Sequence, residues 1–312
     1  MKLSYTIKNN ENFDNVKEVL KTRFEISDRL LLRLKNNNKI FLNNSSCGIK
    51  ADVHSNDTIE VHLDFKEDNS NIVATKMQLN IIYEDDYLLI LNKPARIPIH
   101  PSMQHYEDSL SNGVKYYFDS INLNKKIRPV NRLDRDTSGI VIFAKNEYIQ
   151  ECLIRQMKKH CFIKEYIAIC NGTLANSIGT IDKPISRKPN SIIERCVDPN
   201  GDYAITHYTV LKSNSEVSVL HILLETGRTH QIRVHLSYIG NPIIGDTLYG
   251  SSSNLIARQA LHSYKLSFIH PIFKNKMILT APLYDDMEKV ILGMDWWFIL
   301  NILSILIMIN YD

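Results

Sequence analysis

Three arginines and two aspartates crowd the segment RPVNRLDRDTSG, residues 128–139, directly before the apolar run IVIFA. A turn into a strand needs little more than a glycine and one Asn or Asp, so this much charge asks for a chemical reason. Asp134 stands in the loop before an apparent buried strand at 140–144. A loop held by a rigid sheet is a usual place for a positioned catalytic group. A carboxylate there can serve as nucleophile, general base, metal ligand or one half of an ion pair. The metal role needs more oxygen ligands than the loop offers. To attack, an aspartate must be ionised, which a nearby arginine favours; Arg132 and Arg135 are close in sequence, and the fold can bring in a distant one. The alternative is a structural loop stapled by Arg–Asp bonds, with Thr137 and Ser138 satisfying turn backbone groups.

Other chemistries lack their anchors. The chain has no G-x-G-x-x-G after a strand, no G-x-x-x-x-G-K-[ST] and no H-E-x-x-H, which leaves nucleotide-cofactor and zinc-protease readings unsupported. His230 and His235 in TGRTHQIRVH are five apart, where helical metal pairs are more often four apart, and no Cys or carboxylate completes a set nearby. They read as structural or ligand-contacting histidines. Ser138 is not in a G-x-S-x-G elbow.

The elements that must position this loop are legible from periodicity. Residues 1–70 form a small module: Val16, Val19, Leu20 and Phe24 keep helical spacing, Ser27 can cap a second helix carrying Leu30, Leu31 and Leu34, and KIFLNN and DTIEVHLDF read as strands. KEDNSN, residues 66–71, is the expected linker. Beyond it, LNIIYEDDYLLILNKP gives two strands around an acidic turn, IPIHPS a proline-rich loop, and 109–118 a helix. GIVIFAKN is a buried strand followed by an amphipathic helix at 147–159. KEYIAICNG, AITHYTVLKS, VSVLHILLETG and HSYKLSFIHP read as strands, with RTHQIRVHLSYIG helical before the last. Many strands, few helices and no regular β-α alternation predict an α+β fold with a largely antiparallel mixed sheet.

Composition is that of an ordinary globular protein, with 44% hydrophobic and 23% charged residues over 312 positions. The net charge of +3 says little. From Lys125 to Lys164, however, ten Lys or Arg (125, 126, 128, 132, 135, 145, 155, 158, 159 and 164) face four acids (134, 136, 147 and 151), a local excess of about +6. Such a stretch suits a polyanion, and equally a solvated helix face. The five cysteines form no C-x-x-C pair and predict reduced thiols in a cytoplasmic protein. No signal peptide is expected at MKLSYTIKNNENF. WWFILNILSILIMI, residues 296–309, falls short of the roughly 20 apolar residues that span a bilayer and reads as a docking helix or atypical tail, with no membrane partner expected.

RLDRDTSG resembles the signature of the RluA-type pseudouridine synthases, and the rest of the chain follows their motifs in order. YEDDYLLILNKPARIPIHPS is similar to the first family motif, KEYIAICNG to the K-x-Y strand, and ETGRTHQIRVHLSYIGNPIIGDTLYG to the G-R-x-H-Q-I-R-x-H segment with its P-I-x-G-D. LHSYKLSFIHP and LTAPLYDDM resemble the closing strands. The resemblance covers about residues 78–290, and 14–65 resemble an αL-type RNA-binding module whose usual Gly-Asp turn is here Asn56-Asp57. It implies a pseudouridine synthase fold over 71–293, preceded by a small RNA-binding domain at 1–70 and followed by a hydrophobic tail at 294–312.

Carried over by position, the resemblance makes Asp134 the catalytic aspartate, Arg233 the arginine that pairs with it, and Tyr166 the tyrosine that stacks on the target base. Arg132 matches the arginine that helps hold the RNA with the nucleotide flipped out; Arg228, His230 and Gln231 are further expected RNA contacts. Asn131 stands where many members have His. The implied reaction breaks the N1–C1′ bond of uridine, rotates the base and forms a C5–C1′ bond. It needs no metal or redox cofactor. A base buried in a stack must be extruded at a cost of a few kcal/mol, which stacking and phosphate contacts offset. The expected substrate is large-subunit ribosomal RNA, with transfer RNA as the alternative, and the expected enzyme is a monomer. Two other classes compete: an RNA-binding protein on an inactive scaffold, which would lack one of Asp134, Tyr166 and Arg233, and a carboxylate hydrolase using Asp136 as the second carboxylate.

Overall fold

The structure is a computed structural model and describes residues 1–294. Of the expected tail, all but Met294 lies outside the described residues. Among the described residues no helix is long and apolar enough to cross a membrane.

The chain opens with β1 (Lys2–Thr6), α1 (Val16–Thr22), α2 (Asp28–Asn36), β2 (Ile40–Leu42), β3 (Ser45–Ser46) and β4 (Thr58–His62), whose strands form an antiparallel sheet in the order β1-β4-β2-β3. Ser27 caps α2 as expected, its Oγ accepting the Leu30 N–H at 3.2 Å, and Leu30, Leu31 and Leu34 are buried. Asn56 takes the left-handed conformation (φ 72°). That is the conformation in which Gly is commonest and Asn next, so Asn56 can stand where the resembled module has glycine.

The larger part continues with β5 (Ile81–Glu84), β6 (Leu88–Lys93), α3 (Leu110–Ser120), β7 (Ser138–Ala144), α4 (Glu147–Lys158), β8 (Ile163–Asn171) and β9 (Ile178–Asp182). A small hairpin, β10 (Ile185–Arg187) and β11 (Arg195–Val197), follows, then β12 (Ile205–Ser213), β13 (Val217–Leu224), α5 (Gln231–Tyr238), β14 (Leu261–Ile269), β15 (Lys276–Thr280) and α6 (Asp285–Leu292). The main sheet runs β5-β6-β7-β14-β8-β13-β12-β9, with β15 on β14. Among the described residues only β7–β14 is a parallel pair of strands, so the α+β, largely antiparallel expectation holds. Segment LTAPLYDDM departs from it: β15 ends at Thr280 and α6 begins at Asp285. Acidic Asp285, Asp286 and Glu288 suit the first turn of a helix.

Strand β7 is buried throughout. Its side chains alternate between two apolar clusters: Ile140, Ile142 and Ala144 join Ile149 and Leu153 of α4, while Val141 and Phe143 join Leu110, Val114 and Phe118 of α3. Its start is fixed by a steric demand. Gly139 has φ +112°, and a Cβ there would lie 2.2 Å from the Ser263 carbonyl oxygen on β14. The nearest atoms are all Ser263 backbone, which cannot swing aside, so Gly139→Ala should lower stability by at least about 2 kcal/mol. A drop in urea midpoint at unchanged m would show it.

The expected linker is not a free spacer. Glu67 accepts both terminal nitrogens of Arg128 (2.6 and 2.7 Å) and one from Arg33 of α2 at 2.8 Å. Burial pushes the Glu67 carboxyl up, but the Arg128 and Arg33 hydrogen bonds outweigh it and hold it at about 2. Arg33 also binds Glu147 of α4 at 2.9 Å, and the Ser27 Oγ donates to Glu151 at 2.5 Å. A carboxyl depressed in the folded state stabilises above its unfolded pKa and loses that contribution as pH falls toward the folded value. Glu67→Gln should therefore cost about 1–2 kcal/mol at neutral pH, allowing for solvent screening. Urea unfolding of both proteins should show the gap closing as pH falls below about 4.5.

Pairing also redistributes the basic stretch. Besides Arg128, Lys145 bonds Glu84 at 2.8 Å, Arg155 and Lys159 each approach Glu25 at 3.4 Å, and Arg135 bonds its neighbour Asp136. The charge excess is thus not one continuous free face; Arg132 and Lys164 are the members that line the main cavity.

Candidate active site

Residues 128–137 are tied to the sheet before they reach Asp134. The Val130 N–H donates to the Ile142 carbonyl at 2.7 Å. Asn131 is buried; its Nδ2 donates to the Ile140 carbonyl and its Oδ1 accepts the Ile142 N–H, both at 2.9 Å. Its amide serves as a strand partner for β7, and the residue also lines the cavity that holds Asp134. Thr137 and Ser138 also act differently from the turn-capping expectation: Thr137 Oγ1 accepts from Gln259 at 3.1 Å, and Ser138 Oγ meets His262 Nδ1 at 2.9 Å on β14.

A lysine supports the loop from below. Lys93 at the end of β6 is fully buried and donates all three ammonium hydrogens to carbonyls of Pro94 (2.9 Å), Ile97 (2.8 Å) and Arg135 (2.8 Å). Burial lowers its pKa to about 7, with Asp136 pulling the other way. Arg258, anchored on Asp286, donates to the Asp136 carbonyl at 3.3 Å.

Asp134 Oδ2 accepts from Arg233 Nη1 at 2.9 Å, across 99 positions of sequence. Arg233, on the first turn of α5, gives its Nε and Nη2 to the two oxygens of Asp246 at 2.7 and 2.9 Å. Burial disfavours the Arg233 charge, but the Asp246 bonds and Asp134 more than compensate and raise its pKa. This fork geometry is one that only arginine supplies: two nitrogens are fixed on a buried carboxylate while the third aims at Asp134. The guanidinium also lies 5.0 Å over the Tyr249 ring.

Tyr166, on β8, is buried and lines the same cavity as Asp134; burial pushes its phenol up to about 12. His230 sits at the N-terminus of α5 with φ 60°, its Nε2 3.8 Å from Asp134 Oδ2. Burial holds the imidazole below its usual range against the pull of Asp134. Tyr249 Oη accepts the Arg195 N–H at 2.7 Å and meets His230 Nδ1 at 2.8 Å. Gln231, expected to touch RNA, has its amide turned inward: it donates to Ile205 O and Thr206 Oγ1 and accepts from Thr226 Oγ1 and the Arg228 N–H. It braces the 226–231 turn against β12. His235 likewise bonds Thr206 Oγ1 and the Lys183 carbonyl, both at 2.9 Å.

The walls enclose a cavity of about 440 Å³ that brings together Arg132, Asp134, Tyr166, Arg228, His230 and Arg233, a size in the usual range for ligand sites. Arg132 makes no hydrogen bond or ion pair with any described residue and faces this space with Lys164. Among the described residues no group of three or more His, Cys, Asp or Glu could hold a metal ion. Asp134 thus shares a cationic, partly apolar cavity with an aromatic ring, an arrangement that can hold a nucleotide against a carboxylate.

A sequence model of the family described as RNA pseudouridylate synthase matches residues 87–238. The uncharacterized RNA pseudouridine synthase YjbO of Bacillus subtilis (strain 168) is 40% identical over 86% of this chain and 95% of its own. The chain belongs to the RNA pseudouridine synthase family. The synthase is also 36% identical to the ribosomal large subunit pseudouridine synthase D of Vibrio cholerae, over 73% of this chain and 74% of that one. Among solved structures, human RNA pseudouridylate synthase domain containing 1 superposes with a TM-score of 0.57 at 26% identity, covering 68% of this chain and 87% of that chain.

Several residues that organise the synthase's cavity carry no role in the sequence reading. Asp246 and Lys93 lie inside quoted motifs, P-I-x-G-D and N-K-P, which was the only hint of them. Tyr249 and Arg258 lie in loops, and their partners become apparent only in three dimensions.

Proposed function

We propose that this RNA pseudouridine synthase modifies uridine in large-subunit ribosomal RNA, with Asp134 as the catalytic group. The observation that carries the assignment is the single carboxylate at the cavity floor, Asp134, aimed by an Arg233 that is itself fixed on Asp246. Asp134 acts on the ribose side of the glycosidic bond, as nucleophile or as acid–base group. N1–C1′ breaks, the base turns over, and C5–C1′ forms; C5 loses a proton and N1 ends with one, so the composition is unchanged. Tyr166 supplies the stacking surface for the extruded base, and Arg132 helps hold the opened RNA. Asp136 is disfavoured as the second carboxylate of a hydrolase because it is not among the residues that line the cavity with Asp134. The likeness to proteins named for the large ribosomal subunit supports the choice of RNA, and the N-terminal module, resembling an RNA-binding domain, supplies a second contact.

The test is expression in cells stripped of their own synthases, followed by mapping of pseudouridine in ribosomal and transfer RNA. New sites in the large-subunit RNA are expected. Sites confined to transfer RNA would overturn the choice of substrate.

A further inference from the structure

We propose that Lys164, with Arg228, forms a subsite for the phosphate attached to the target nucleotide, so that the cavity selects a charged phosphodiester beside the uridine. The inference deepens the functional reading above and rests on it.

Four observations converge. Lys164 precedes Tyr166 by two residues on β8, so both side chains leave the strand on the same face, about 7 Å apart along it. That is the scale of one nucleotide from base to phosphate, and both residues line the cavity that holds Asp134. Second, the half-buried Lys164 ammonium makes no hydrogen bond or ion pair with any described residue. Other shielded cations do have partners: Lys93 has three carbonyls, Lys145 has Glu84, Arg128 has Glu67 and Arg233 has two aspartates. A desolvated cation left alone is costly, and burial together with the positive Arg228 lowers the Lys164 pKa. Third, Gly227 makes room for it. A Cβ at Gly227 would lie 2.9 Å from Lys164 Nζ, yet Gly227 is not among the positive-φ glycines, so the backbone there does not itself demand glycine. Fourth, Arg228 gives its Nε to the Tyr203 carbonyl at 2.9 Å, which fixes the guanidinium and leaves its two terminal nitrogens without a carboxylate. Two cations, neither neutralised by the protein, thus face one cavity whose carboxylate, Asp134, is already taken by Arg233.

The shared chemistry is a phosphate oxygen, which RNA presents as a diester and a free nucleotide as a monoester. ¹³C-lysine NMR of the full chain, with the Lys164 signal assigned through Lys164→Arg, reads the subsite without turnover. The trinucleotide UpUpU should raise the Lys164 pKa; uridine, and the trinucleotide with neutral methylphosphonate linkages, should not. UpUpU should bind the wild type about tenfold more tightly than its neutral analogue, the effect of one charge-assisted hydrogen bond. Lys164→Met should erase that ratio with its melting temperature unchanged, Lys164→Arg should keep it, and Gly227→Ala should reduce it with the lysine still present. An unresponsive Lys164 signal, or a Lys164→Met variant with the wild-type ratio, would overturn the proposal. A stronger response to uridine 5′-monophosphate than to UpUpU would assign the subsite to free nucleotides and overturn the placement on RNA. Failure to form pseudouridine in cells would strike the functional reading and leave this binding result standing.

Discussion

Asp134→Asn should form pseudouridine at least about 10³-fold more slowly than the wild type while binding RNA within about threefold of it. The substitution keeps the shape of the side chain and an oxygen for the Arg233 bond now made at 2.9 Å. It removes the charge and the nucleophilic or proton-accepting oxygen. The groups proposed to hold RNA, Arg132, Lys164 and Arg228, do not bond Asp134 and stay in place. Single-turnover assays on transcribed ribosomal RNA fragments, paired with filter binding, separate the two quantities. A variant that loses both would mark Asp134 as structural, and near-normal turnover would move the chemistry elsewhere.

The second large effect is expected at Arg233. Arg233→Met leaves Asp246, whose side chain is 1% exposed, buried without its cation. Breaking such a pair from one side costs about 3–5 kcal/mol. The remaining Asp246 partners, the Leu248 and Tyr249 N–H groups, offset only part of that loss. Arg233→Lys is the informative control. One ammonium cannot span both oxygens of Asp246 and still reach Asp134. Much of the melting temperature should return, while kcat stays down by about 10²-fold, the scale of a misplaced catalytic group. A lysine variant with full stability and full rate would show that Arg233 neutralises Asp246 without orienting Asp134.

The core was legible in the sequence where an element's own residues decide it. Strand β7 is a continuous apolar run, Ser27 stands before the leucines of α2, and the sheet followed from many strands without regular β-α alternation. Short elements whose stability comes from their neighbours were not legible. Strand β1 alternates between exposed and half-buried residues, and β10 and β11 have three residues each. The site divides in the same way. Asp134 stands out because excess charge in a turn has no backbone purpose. Asp246 and Lys93 do not, because only the folded state shows that a guanidinium has two acids to serve or that an ammonium has three carbonyls within reach. The basic stretch left a polyanion partner and a solvated face equally open, because sequence counts charges, whereas Glu67, Glu84 and Glu25 decide which of them face a ligand.

The parallel pairing of β7 with β14 also sets when activity can arise in the life of the chain. Ser138 and its partner His262 are 124 positions apart, and β14 sits between β7 and β8, both made long before it. Gln259 and Arg258, which brace Thr137 and the Asp136 carbonyl, arrive with that same late segment. A nascent chain emerging from a ribosome therefore carries Asp134 on an unclosed sheet until its last strands are made, and contacts of such span form slowly. The loop that carries Asp134 is therefore braced on both sides only once β14 has entered the sheet between β7 and β8.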